Sequence, residues 1–407
     1  MCENVWRKDF PILEQEIYGK RLIYLDNGAT AQMPSQVAER IREHYEKEHG
    51  NIHRGIHYLS EKSTQDVEHA RELVKDFIHA EHVESIVFTQ GATDSIHLVS
   101  AGIALEQGSA GGIVTTQLEH HSNYVPWQQI CKQTGRQFFV CPAPDGELDL
   151  QALEDILRKN EIRLVACAHV TNVTGTVNPI KEIIEMVHRY GAEVLIDGAQ
   201  GILHQTVDVK SLDCEYYCFS GHKMIGPTGV GVLYGKKECL EKLEPARYGG
   251  GMVDLVKEEE TTWGPLPYRF EAGTPNIGGI IGLGEAVTYL TEHDIEAMHE
   301  YESKLLAYAL EKISAIPYVE ILGHPAKRAG AISFAVEGAH PYDIASMLDK
   351  AAIAVRSGSH CAQPMLECLG VNATVRVTPN FYNTYEEIDV FCETLVKVIT
   401  LLRKYSA

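Results

Sequence analysis

The sequence predicts an α/β fold, a mostly parallel sheet flanked by helices, followed by a smaller α+β domain. Three observations predict it. From about residue 60 to 240, helical periodicity alternates with short continuous apolar runs, the pattern of strands covered on both faces. Polar residues suited to chemistry follow the ends of those runs. After about residue 285, long helical patterns with short strands between them replace the alternation.

Taken in order, Val67, Ala70, Val74, Phe77 and Ile78 recur at helical spacing, and Ile86-Val-Phe-Thr89 reads as a buried strand. Ile113–Thr116 is the next strand, and a helical stretch with Leu153, Ile156 and Leu157 leads into Arg163–His169. Ile183, Ile184 and Val187 share one face of a helix over 180–190 that stops at Gly191, a natural terminating residue. Strands over 193–197, 215–219 and 229–234 complete the series. Such an alternation implies right-handed crossovers and a ligand site beyond the carboxyl ends of the strands. In the second part, helices are expected over 301–316, 341–350 and 385–405, with strands over 331–335 and 353–356 between them. Ile388, Phe391, Leu395, Val398, Ile399 and Leu402 form the apolar face of the last helix, and Thr384 and Glu387 have the spacing of its capping box. No Pro/Ser-rich linker or repeat separates the parts. The division expected is a large domain over 18–285 and a small one over 286–407, with residues 1–17 packed on the small one.

Composition removes several function classes. The chain has 407 residues, with 56 acidic side chains against 36 basic ones and a formal net charge of −20. Nucleic-acid binding needs a basic face, and docking on anionic membrane needs the same sign. An apolar share of 44% with 23% charged residues fits a folded globular protein. No apolar run is long enough to span a bilayer, and residues 1–9 lack the apolar core of a signal peptide, so a cytoplasmic protein is expected. Ten scattered cysteines, from Cys2 to Cys392, include no C-x-x-C pair and read as free thiols. Cys214 and Cys218 are expected on one face of an extended run. Cys361 is set apart by its polar, glycine-containing loop.

The chemistry begins at Asp197, a carboxylate at the end of a buried strand, which is costly unless a cation meets it. A helix cap or an ion pair would explain a lone aspartate. The next strand, however, ends in Ser220-Gly-His-Lys223. An aspartate and a lysine leaving one sheet edge can grip two ends of an aromatic cofactor. Pyridoxal phosphate needs that pair: a lysine for the Schiff base, and a carboxylate that keeps the ring nitrogen protonated. Phe88-Thr-Gln-Gly-Ala-Thr93 then offers a strand-to-helix turn whose N–H groups, with the Thr93 hydroxyl, suit a phosphate. Ser220 and His222 add donors. No Walker or Rossmann glycine pattern competes with this reading. His120, after the 113–116 strand, can stack on the ring and move protons. A surface role or a zinc site shared with His121 is the alternative, but no third ligand stands at a suitable spacing, and no metal is expected.

These segments, with Tyr24-Leu-Asp-Asn-Gly-Ala29, His53-Arg-Gly-Ile-His57, Arg269–Asn276, Arg356-Ser-Gly-Ser-His-Cys361 and Tyr382-Asn-Thr384, run nearly end to end. Together they resemble the SufS-type (group II) cysteine desulfurases, fold-type I pyridoxal-phosphate enzymes of the class V aminotransferase superfamily. The resemblance implies a seven-stranded large-domain sheet. It also implies that Lys223 holds pyridoxal 5′-phosphate, Asp197 pairs with the ring nitrogen, and Gln200 and Asn172 address the ring hydroxyl. His120 would stack on the ring, Thr93, Ser220 and His222 would hold the phosphate, and Thr274 would reach a phosphate across a homodimer interface. Arg376 would clamp the substrate carboxylate, with Asn172, His53 and Arg356 also on the substrate side, and Cys361 would be the nucleophile. His360 and Arg356 stand beside that thiol as stabilisers of its thiolate.

The implied reaction converts L-cysteine to L-alanine and leaves a persulfide on Cys361. An acceptor of the SufE or SufU kind would carry the sulfur to iron–sulfur cluster assembly. Selenocysteine lyase or cysteine sulfinate desulfinase activity on the same scaffold is the alternative, followed by a true aminotransferase and, without catalysis, a sulfur-relay scaffold. The chain departs from the family pattern at Ala92, His97, Ser359 and Thr378-Pro-Asn380.

Overall fold

A computed structural model describes residues 4–106 and 111–406, and Cys2 lies outside them. Seven strands form the main sheet: β1 (Ile86–Thr89), β2 (Gly112–Thr116), β3 (Phe138–Cys141), β4 (Ile162–Ala168), β5 (Glu193–Asp197), β6 (Tyr216–Ser220) and β7 (Gly231–Gly235). Their spatial order is β1-β7-β6-β5-β4-β2-β3. Only β7 runs against its neighbours, pairing antiparallel with both β1 and β6. β2, β6 and β7 are buried along their whole length because helices cover both faces.

The strand series therefore matches the sequence reading, with one addition. β3 sits at an edge, three of its four residues are only partly buried, and it carries no alternation to announce it. Cys214 and Cys218 correct a smaller expectation. Cys214 precedes β6 and packs with Tyr217 and Phe219, whereas Cys218 packs with Tyr216 on the other face of the sheet.

A second unforeseen element is the helix Ile277–Glu292, apolar nearly all round and buried as befits that composition. Its glycines permit close helix contacts. A Cβ at Gly284 would lie 2.8 Å from the Cβ of Ala70, and one at Gly282 would lie 2.6 Å from Ile41.

The small domain has an antiparallel sheet of β8 (Val319–Ile321), β9 (Ile332–Val336), β10 (Arg356–Gly358) and β11 (Thr374–Val377), in the order β8-β9-β11-β10. Helices Ile295–Ser314, Pro341–Asp349 and Tyr385–Ser406 pack on it through Leu305, Ile344, Phe391 and Leu395. The capping box forms as expected: Thr384 N–H donates to Glu387 (3.0 Å), and Glu387 N–H donates to Thr384 Oγ1 (3.2 Å). The stretch expected as one strand over 353–356 divides in two. Ile353–Ala354 pairs in parallel with Ile23–Tyr24, and β10 starts at Arg356.

That parallel pairing places Ile23 and Leu25 in the small-domain core. The preceding residues bind distant stretches of the later chain. Asn4 donates to the carbonyls of Phe381 and Asn383, Arg7 pairs with Glu387 at 2.9 Å, and Trp6 donates to His293 O. Among the described residues, no helix is long and apolar enough to cross a membrane.

Candidate active site

The carboxyl ends of β1, β2, β4, β5 and β6 open onto one cavity of about 220 Å³, closed on the far side by Arg356, His360, Cys361 and Arg376 of the small domain. Asp197 is the last residue of β5 and is buried. Burial pushes its carboxyl pKa up, opposed by an N–H donated from Ala199 (2.9 Å) and by Lys223. Lys223 ends the short turn after β6. Burial lowers its ammonium pKa, with Asp197 resisting, and so favours the neutral amine that attacks a carbonyl.

At the other end of the cavity, helix Ala92–Leu105 begins at Gly91, whose φ of +152° suits glycine and whose Cβ would stand 3.2 Å from Ser220 Oγ. Ala92 N–H donates to Ser220 Oγ (2.8 Å), and the Thr93 and Ser122 hydroxyls lie 2.7 Å apart. His222 Nδ1 is buried without a partner. This end is rich in donors, as a phosphate requires.

His120 lies between the two ends. Its Nδ1 accepts from Ser122 N–H (3.1 Å), which leaves the ring proton on Nε2. Burial, reinforced by Lys223, lowers its pKa to about 3, so the ring is neutral near pH 7. Behind it, Glu119 accepts from Thr116 Oγ1, Asn123 Nδ2 and Ala168 N–H, and burial pushes its pKa up to about 8.

Arg376 is fully buried on β11, in register with Arg356 on β10. Its Nη1 donates to Asn172 O (2.9 Å) and its Nη2 to Asp26 (3.2 Å), while Arg356 stands 3.8 Å from the other Asp26 oxygen. Burial raises the Asp26 pKa and the two guanidinium groups pull it back. Asn172 donates its amide to His360 O (2.7 Å), and its Oδ1 is buried without a partner. Gln200 donates to Gly28 O (2.8 Å).

Cys361 is exposed and lines this cavity, whereas the other described cysteines are buried or partly buried. Cys368 approaches Ala143 O, and burial raises its thiol pKa. The expectation that His360 stabilises a thiolate is corrected. Its ring turns inward, Nε2 meets Thr374 Oγ1 at 2.7 Å, and burial lowers its pKa to about 3, so it carries no positive charge near pH 7.

One chain thus brings together Lys223, Asp197, Gln200, His120, Thr93, Asn172, Ser220, His222, Arg376, Arg356 and Cys361. It does not bring in Thr274 or His53, which line a separate depression with Gly250 and Tyr268. Asp26 and Ser122 were missed by sequence reasoning. Asp26 lies inside a quoted motif, and its tie to Arg376 spans 350 positions of sequence. Ser122 stands two residues after His120.

Residues 23–391 match the class-V aminotransferase family. The chain belongs to that family. Its members are pyridoxal-phosphate enzymes, and the residues present fit the group: a carboxylate whose pKa is raised by burial, a lysine of lowered basicity, and unpartnered buried atoms on Asn172 and His222.

The chain is 45% identical over 393 residues, 96% of each chain, to a probable cysteine desulfurase of Halalkalibacterium halodurans. Among solved structures it resembles an apo cysteine desulfurase of Thermococcus onnurineus NA1, with 38% identity, a TM-score of 0.92 and 97% of each chain covered. It also resembles the cysteine desulfurase CsdA of Escherichia coli in an S-sulfonic acid form, with 33% identity, a TM-score of 0.90, and 98% of this chain and 99% of that one covered.

Proposed function

We propose that the chain is a pyridoxal-phosphate-dependent cysteine desulfurase that moves the sulfur of L-cysteine onto Cys361. The observation that carries this reading is the position of Cys361, an exposed thiol on the same cavity as Lys223, Asp197 and Arg376. The cofactor supplies an electron sink for the pair released at the substrate α-carbon, and Asp197 keeps its ring nitrogen charged. Arg376, with Arg356 beside it, binds the α-carboxylate, and Asn172 fixes the guanidinium through its carbonyl. Lys223, as the neutral amine, takes the α-proton. The neutral His120 ring, on the cavity wall, would help hold the cofactor, and its Nε2 proton would be available to the reacting groups.

The Cys361 thiolate attacks the substrate sulfur, the carbon–sulfur bond breaks toward carbon, and protonation there yields alanine. The products are one alanine and one persulfide for each cysteine. In this reading Lys223, Asp197, Gln200, His120, Thr93, Asn172, Ser220 and His222 hold the cofactor. Thr274 and His53 serve the site of a second protomer, which their distance from their own cavity supports. The large and small domains divide near residue 285. An acceptor of the SufE or SufU type takes the sulfur from the exposed thiol for iron–sulfur cluster assembly in the cytoplasm.

The test compares alanine and sulfide yields from L-cysteine, with reductant, in the native protein and Cys361→Ala. Equal yields of both products in the native protein, lost in a variant that keeps its visible cofactor absorbance, support the reading. A variant as active as the native protein contradicts it and favours a selenocysteine or sulfinate lyase.

A further inference from the structure

Cys361 stands on a backbone that its own residue type disfavours. His360 and Cys361 have φ values of +53° and +54°, two consecutive residues with side chains in the left-handed region. Such a turn persists only where surrounding contacts over-determine it. Three hydrogen bonds from the large domain do so. Asn172 holds the carbonyl of His360, and His121 supplies the other two. Its backbone N–H donates to Cys361 O at 2.7 Å, and its ring Nε2 accepts from Gln363 N–H at 3.3 Å.

The second of these bonds has a definite reason. Gln363 opens the helix Gln363–Cys368, and the preceding residue, Ala362, has no side chain able to cap it. His121 provides the missing cap from 242 positions away in the sequence. It therefore grips the thiol-bearing residue itself and the chain two positions after it, with Asn172 on the preceding side, while its ring does not wall the cavity. Its neighbour His120 does wall the cavity and accepts from Ser122 instead, so the two adjacent histidines have separate tasks.

We infer that His121 is the positioning residue for Cys361, holding the left-handed His360–Cys361 turn against the cavity by donating to Cys361 O and accepting from Gln363 N–H. The inference rests on Cys361 being the residue that receives sulfur. It assigns His121 no proton transfer, and that makes it separable from a catalytic role. Gln can present an oxygen near the place of Nε2 and restore the cap. Phe keeps the ring's bulk but accepts nothing.

The experiment uses the cofactor-loaded protein and three variants, His121→Gln, His121→Phe and His121→Ala. It reads alanine formation together with amide hydrogen exchange over the segment 359–368. In Phe and Ala, exchange of the Gln363 amide should rise about fivefold, the factor set by one neutral hydrogen bond. In the same two variants kcat should fall by roughly 5- to 100-fold, the upper end being that of a displaced reacting group. KM for L-cysteine and the visible cofactor absorbance should stay at native values. His121→Gln should recover both exchange and kcat.

A Gln variant as slow as Ala overturns the inference in favour of proton transfer. Recovery by Phe reduces the role to bulk, and three native-like variants abolish it. Failure of the underlying reading shows separately, as alanine formation that survives Cys361→Ala, and the exchange pattern reports the tether in either case.

Discussion

Replacing Arg376 by lysine separates charge from geometry at the carboxylate clamp. A guanidinium has five N–H donors in a planar fork. In the structure one serves Asn172 O and one serves Asp26, and Nε has no protein partner, so three donors remain for a substrate carboxylate. A lysine ammonium keeps the charge but has only three protons, and the two protein oxygens would claim two of them. The variant would thus lose at least one charge-assisted hydrogen bond to the substrate, worth about 1.5–3 kcal/mol. At about 1.4 kcal/mol per tenfold, kcat/KM for alanine formation should fall by roughly 10- to 150-fold, chiefly through KM. Steady-state kinetics on protein with native cofactor absorbance is the assay. A KM within about twofold of native would refute the assignment of the clamp to Arg376.

Three further outcomes are expected. Asp26→Ala should cost about 3 kcal/mol in urea unfolding, because it strips the buried Arg376 of its carboxylate, and a loss below about 1 kcal/mol would show that the pair is not a structural anchor. Thr384→Ala should cost about 1 kcal/mol through the lost cap of the last helix, measured the same way. Stability should also fall as pH drops below about 6.5, the unfolded-state value for histidine. His169 and His360 stay neutral in the fold down to about 4 and about 3, so in that window the unfolded chain binds the extra protons. His169→Gln should flatten the slope of stability against pH, and an unchanged slope would contradict the assignment.

Most of the large domain is legible in the sequence because strands covered on both faces must be apolar throughout, and β5 and β6 end in the residues that carry the chemistry. The legible part stops where local pattern stops. β3 is a half-buried edge strand, and the helix Ile277–Glu292 trades helix propensity for close packing through glycine. Within the site, Lys223, Asp197 and His120 are singled out by motif and residue type, and Arg376 by the family resemblance. The inward turn of His360 does not, because it depends on a left-handed backbone and on Thr374, fourteen positions away. The Asp26 link to Arg376 and the cap from His121 are long-range contacts without a periodic trace.

The most direct test of the central claim is the mass of the peptide carrying Cys361 after one equivalent of L-cysteine has reacted with the cofactor-loaded protein in the absence of reductant. The account predicts that this peptide gains the mass of one sulfur atom, removable by reductant, in step with the alanine released, and that no other cysteine peptide gains it. Alanine released with Cys361 unmodified, or the added sulfur found on another cysteine such as Cys368, would contradict it.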